Sequence, residues 1–112
     1  MLPMSFNQQS RRIEKRIESI QAQLAELGPM RPGSLSLQYR NPKEKTGANY
    51  QLSYTYQMKS KTEYIAAELV PQIEQEIAQY KRFRALSAQW IDLSIQWSRL
   101  KIKQSPSTRK SN

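Results

Sequence analysis

The chain has no cysteine and no histidine, only three glycines, and a single aspartate, Asp92. Each shortage closes a class of chemistry. Without cysteine there is no disulfide framework, which fits a reducing compartment. Without cysteine or histidine, the commonest general bases, nucleophiles and zinc ligands are missing. Glycines at 28, 33 and 47 make neither of the glycine-rich patterns that cradle phosphates. A two-metal hydrolytic centre needs several convergent carboxylates. Here Glu14, Glu18 and Glu26 fall in one segment and Glu68, Glu74 and Glu76 in another, and both groups read as solvated helix faces. The expectation is a protein that is not an enzyme, with no cofactor, no metal site and no small-molecule substrate. No apolar run approaches the ~18–20 residues that cross a bilayer. The opening Met1-Leu2-Pro3-Met4-Ser5 has neither the basic start nor the apolar stretch of a signal peptide. A cytoplasmic setting is expected. A membrane-surface role is not, since the basic residues do not line one face opposite a continuous apolar one.

What the chain does have is positive charge. Its 112 residues include 18 Lys and Arg against 9 Asp and Glu, a formal charge of +9 and a pI of about 10.0. Such an excess repels itself in a compact state and calls for an anionic partner. The length suits one domain with a thin core. Residues 1–104 are expected to form it, and 105–112 a disordered basic tail without apolar residues.

The periodicity predicts an α+β fold: an N-terminal helix, a three-stranded antiparallel meander and a long C-terminal helix. Ile13, Ile17, Ile20, Leu24 and Leu27 step by 4, 3, 4 and 3, the seam of a coiled coil. Ser5 with Gln8 is a candidate capping box, and Ser10 a second candidate cap. Gly28-Pro29 should stop this helix at about Leu27, with Gly28 in the left-handed position beyond its end. The period then becomes two. Leu35, Leu37 and Tyr39 alternate with Ser34, Ser36 and Gln38. Arg40 to Ala48 reads as a turn or mobile loop. Tyr50, Leu52, Tyr54, Tyr56 and Met58 then point one way, and Gln51, Ser53, Thr55 and Gln57 the other. A turn within Gln57 to Ser60 leads to a third strand, about Lys61 to Ile65. The second helix begins between Ala66 and Pro71, since proline is tolerated in a first turn. Its apolar series runs Ile73, Ile77, Tyr80, Phe83, Leu86, Trp90, Leu93, Trp97 and Leu100, and Ser105-Pro106-Ser107 should end it.

Two surfaces follow. The polar sheet face (Ser36, Gln38, Gln51, Ser53, Thr55, Gln57) offers short hydrogen-bonding groups suited to base edges. Arg40, Lys43, Lys45, Lys59 and Lys61 are expected to frame it for phosphates. Alternation alone gives any half-buried antiparallel sheet a polar outer face; the net charge is what turns this one toward nucleic acid, double-stranded DNA in particular. Lys101, Lys103, Arg109 and Lys110 would act as a phosphate-tethering arm. The clusters Arg11, Arg12, Lys15, Arg16 and Lys81, Arg82, Arg84 read as solvated faces. The second surface is helical. The first helix spans roughly 30 Å and the second roughly 50 Å, so an antiparallel first helix cannot cover the second. Trp90, Leu93, Trp97 and Leu100, widened by Ile91, Ile95 and Ile102, are expected to form a homodimer or to dock a protein partner.

Certain strings also carry a resemblance. Pro32-Gly33-Ser34-Leu35-Ser36-Leu37-Gln38-Tyr39, Tyr50-Gln51-Leu52-Ser53-Tyr54-Thr55-Tyr56, Lys59-Ser60-Lys61-Thr62 and Tyr80-Lys81-Arg82-Phe83-Arg84 resemble a family of short bacterial proteins of unknown function. Such proteins are often encoded in or beside transposable elements, and the resemblance runs from about Arg12 to Leu100. Many members carry a cysteine-rich insert after the first Gln-Tyr strand. Here Arg40 to Ala48 has no cysteine, so no metal knuckle is implied. The strands are also similar to the three-stranded DNA-reading sheet of tyrosine-recombinase arm-binding domains. Charge, face composition and the resemblance together lead to the expectation of an accessory nucleic-acid-binding protein, with an antitoxin-like regulator or a helical protein-interaction scaffold as alternatives.

Overall fold

The computed structural model describes residues 5–104. Helix α1 is Phe6–Ala25. The Ser5 hydroxyl accepts the Gln8 N–H at 3.2 Å, and the Gln8 amide oxygen accepts the Ser5 N–H at 2.8 Å. This reciprocal pair satisfies two donors that a helix start otherwise leaves unpaired. Ser10 is no cap. It is buried within the helix and donates its hydroxyl to the Asn7 carbonyl at 3.1 Å. The helix also ends differently from the expected left-handed glycine stop. Glu26 closes it in a right-handed conformation, and its N–H is received by the Gln23 and Leu24 carbonyls. Gly28 has no positive φ; its N–H donates instead to the Gln79 side-chain oxygen at 3.0 Å. A tertiary partner replaces the local motif that glycine would have served.

Strands β1 (Ser34–Asn41), β2 (Thr46–Tyr56) and β3 (Lys59–Ile65) form one antiparallel sheet in the order β1-β2-β3. The expected loop from Arg40 to Ala48 is mostly strand. Pairing of β1 with β2 continues to Asn41 opposite Thr46, and only residues 42–45 turn. Asn41 and Pro42 are turn formers, Lys45 takes φ 54°, and Gly47 takes φ 69° opposite Arg40. The next turn is shorter than expected. It contains only Gln57 and Met58, at φ 52° and 65°. Left-handed φ at both central residues matches the twist of a two-residue hairpin. Glycine and asparagine are the usual occupants, so residue preference carries little sign of it. Met58 is consequently 97 % exposed at the tip, not on the apolar face.

A short 3₁₀ turn, Ala67–Leu69, leads into α2, Val70–Gln104, with Pro71 in its first turn as expected. The expected end of this helix at Ser105 and the basic tail lie outside the described residues.

The chain forms two compact units. One comprises α1 with α2 from residue 84 onward; the other is residues 27–83. In the helical unit, Ile13 and Ile20 of α1 are buried against Leu86 and Leu93 of α2. Ile17, Leu24, Trp90, Trp97 and Leu100 pack around them. Phe6 lies near Lys101 and Glu14 near Trp97, so the pairing is antiparallel. In the sheet unit, Leu52 of the central strand is fully buried and Ile77 nearly so. Gly33 makes that possible. At φ 129° it enters β1 so close to β2 that a β-carbon there would stand 2.7 Å from the Ser53 carbonyl oxygen and 2.9 Å from a Leu52 methyl. Only glycine fits such an approach.

Candidate nucleic-acid interface

In an antiparallel sheet, residues directly opposite one another share a face. Leu35 and Leu37 oppose Leu52 and Tyr50, and Ile65 opposes Tyr50; on this face Leu52 is buried and Leu35, Tyr50 and Ile65 are half-buried, while Leu37 is exposed. The other face carries Ser34, Ser36, Gln38 and Arg40 from β1. From β2 it carries Asn49, Gln51, Ser53 and Thr55, and from β3 Ser60, Thr62 and Tyr64. Most of these side chains are exposed. The Gln38 amide donates to the Ser36 hydroxyl at 3.3 Å, and the hydroxyls of Thr55 and Ser60 meet at 2.9 Å. An open depression of about 380 Å³ lies among Ser34, Ser53, Thr55, Ser60 and Thr62, and Lys61 reaches its edge. No carboxylate stands on this face among the described residues.

The expected site residues are therefore only partly together. Gln38, Arg40, Gln51, Ser53 and Thr55 share the open face. Gln57 does not, because it is in the turn. Lys43 and Lys45 lie in or beside the β1–β2 turn, at one end of the sheet. Lys59 and Lys61 oppose Tyr56 and Tyr54, so they spring from the apolar face. The reason is turn length: a two-residue turn pairs Lys61 with Tyr54, whereas a three-residue turn would have paired it with Thr55. Asn49, Ser60, Thr62 and the exposed Tyr64 also stand on this face; the last three share it because the two-residue turn sets the register.

On the apolar face, Arg31 organises the margin. Its guanidinium pairs with the Glu63 carboxylate and lies 4.7 Å from the Tyr54 ring centre, while its backbone N–H donates to the Glu76 carbonyl at 3.0 Å. The hydrogen bond from Arg31 holds the Glu63 carboxyl below its ordinary value of 4.5. A carboxyl depressed in the folded state adds stability above its unfolded pKa and loses it as pH falls through the folded one. Tyrosine-monitored urea midpoints should therefore drop as pH is lowered from about 6 to about 3, the range in which carboxylates titrate. Glu63→Gln should flatten part of that dependence. The effect is small and screened by salt, because both groups are substantially exposed.

The four residues expected to meet a partner helix pack with α1 instead, although Trp90 also lines the open groove beside Ile91. Leu93 is 3 % exposed in the core of the helical unit. Trp90, Trp97 and Leu100 pack against that core, and the Trp97 indole N–H donates to Glu14 at 3.0 Å. Lys101 lies over the Trp97 and Phe6 rings, 5.1 and 5.4 Å from their centres. The stripe that stays uncovered is Ile91, Ile95 and Ile102, at 60 %, 47 % and 51 % exposure.

Charge is spread over both units. The described helical unit carries eight Lys and Arg against four acidic residues, and the sheet unit eight against five. Among the described residues, no group of three or more acidic side chains is placed to hold a metal ion, and no helix is long and apolar enough to cross a membrane.

A family model described as a domain of unknown function, DUF6788, matches residues 10–75, from the first turns of α1 through the whole sheet to the start of α2. No curated protein and no solved structure matches the chain.

Proposed function

We infer a role for this chain, which belongs to the DUF6788 family, a domain of unknown function, from its own surfaces: it binds double-stranded DNA and catalyses no reaction on it. The open sheet face carries the reading. It presents ten uncharged hydrogen-bonding side chains, with Arg40 as its one charged residue and no carboxylate to repel phosphates. Groups that both donate and accept suit base edges, while arginine and lysine suit phosphates. Three strands measure roughly 10 Å across, at about 4.8 Å between neighbours, and a major groove is about 12 Å wide. Arg40 on this face and Lys43 and Lys45 in or beside the adjoining turn place positive charge at one end of the uncharged centre.

Salt dependence tests this. Affinity should fall by about 0.9 log unit per log unit of salt for each phosphate neutralised. Lys45→Gln should lower that slope by about 1. Gln51→Ala should leave the slope alone and relax sequence preference, since each base contact discriminates by about 1–3 kcal/mol. No binding to DNA or RNA at ~50 mM salt ends the proposal. The resemblance to bacterial proteins encoded beside transposable elements supports an accessory role in a mobile element. Gene neighbours lacking any recombinase or transposase would count against it.

A second reading has its own observation. Ile91 and Ile95, interleaved with Ser87, Ser94 and Ser98, line an apolar groove of about 470 Å³ along α2. A second copy of the chain burying this stripe would make a homodimer, or a protein partner would take its place. Sedimentation should then show self-association that Ile91→Glu abolishes. A wild-type monomer at tens of micromolar, an ordinary range for such contacts, removes the homodimer.

A further inference from the structure

The antiparallel helix pair has two flanks, and they differ in charge. One flank, beside Ile17 and Trp97, holds Glu14 and Glu18. The opposite flank is a groove of about 380 Å³. Arg12 and Arg16 of α1 form one wall of it, and Arg99 and Lys103 of α2 the other. Gln9 and Gln96 complete the walls, over a floor of Ile13 and Leu100. No carboxylate lines this groove, and none pairs with Arg16, Arg99 or Lys103 among the described residues. The cations on each helix are four residues apart, hence about 6 Å along its axis. The result is two short rows of positive charge facing one trough. Arg16, Arg99 and Lys103 repel one another across the trough, an arrangement that an anion between the rows stabilises.

We propose that this groove holds the phosphodiester backbone of nucleic acid, as a phosphate-binding site separate from the sheet face; the proposal rests on the nucleic-acid reading above. Three of the four cations are guanidinium groups, whose planar fork fits phosphate oxygens with two hydrogen bonds. The Gln96 amide adds a neutral donor of the kind that positions a protein on a sugar-phosphate backbone. An elongated trough with repeated cations suits a polymer of regularly spaced charges better than one small anion. A lipid tail finds no entry, because Ile13 is buried and Leu100 already packs on the core. An acidic peptide would have its carboxylates neutralised, but nothing here selects its side chains.

The test is a folded triple variant, Arg16→Gln, Arg99→Gln and Lys103→Gln. Glutamine keeps helix propensity and a long side chain, and all three positions are exposed. Helical circular dichroism and the thermal midpoint confirm that the variant folds. Binding to a 20–30 base-pair duplex is then followed from about 50 to 200 mM salt, where phosphate contacts dominate the salt response. The expected result is a log–log slope shallower by about 2–3, with affinity down about tenfold per cation near 0.1 M salt. Gln51→Ala, measured in parallel, should keep the wild-type slope. A folded triple variant that binds with the wild-type slope overturns the groove and leaves the sheet-face reading standing. Wild-type protein that binds no DNA or RNA at ~50 mM salt overturns the nucleic-acid reading itself. Wild-type protein that instead binds phosphatidylserine vesicles, with loss in the triple variant, overturns the phosphodiester assignment and gives the groove to lipid headgroups.

Discussion

Leu52→Ala should lower the stability of the sheet unit by about 2–5 kcal/mol, as expected when a fully buried leucine is truncated to alanine. Leu52 has 0 % exposure in the central strand, flanked by Leu35 and Glu63 on the neighbouring strands. Gly33 presses its backbone against the same side chain, which limits how far the surroundings can collapse into a void. No other residue of the sheet is as completely buried, so no second anchor compensates. Small domains hold only about 5–15 kcal/mol in total, and a loss of this size takes much of that. The unit contains its own probes: all six tyrosines fall within residues 27–83. Near-ultraviolet dichroism of tyrosine against urea is the measurement. Leu52→Met keeps volume and should cost less than about 1.5 kcal/mol. An alanine variant as stable as wild type would show that this strand does not anchor the sheet.

The second large effect is expected in the other unit. Leu93→Ala should cost about 2–5 kcal/mol by the same cavity argument. Among the described residues, Leu93 is one of four buried hydrophobic residues in the core between α1 and α2, with Ile13, Ile20 and Leu86. Both tryptophans, Trp90 and Trp97, lie beside it. Their fluorescence should shift at a lower urea concentration in the variant, and the Trp97 hydrogen bond to Glu14 should be lost with the helix pairing. An exposed control on the same helix, Ile95→Ala, removes a side chain that packs on neither core and should change the midpoint by less than about 0.5 kcal/mol, as surface substitutions do. If Leu93→Ala and Ile95→Ala behaved alike, the inward rotation of α2 described above would be wrong.

That rotation separates what was legible in the chain from what was not. Heptad spacing announced a seam on α2 containing Trp90, Leu93, Trp97 and Leu100, and the seam exists. Spacing could not say whether α1 or a partner covers it. The covering helix turned out to be α1, which moves any intermolecular surface to Ile91, Ile95 and Ile102. The sheet behaved likewise. Alternation in β1 and β2 showed which residues share a face, but Lys59 and Lys61 changed face because a two-residue turn at Gln57-Met58 fixes the register. Neither residue is a usual occupant of such a turn, so local propensity was silent.

By itself the sequence determined the elements, their order and the absence of cysteine and histidine chemistry. Caps, a change of hydrophobic period and proline positions act over four residues or fewer, and their physics is written in local spacing. Tertiary structure alone decided the neighbours. Arg12 and Arg16 read as a solvated helix face, and Lys103 as part of a phosphate-tethering basic arm, until antiparallel pairing sets residues more than eighty positions apart around one groove. Which flank of a helix meets which flank of another depends on register and rotation, set by the fit of whole apolar seams rather than by any local signal.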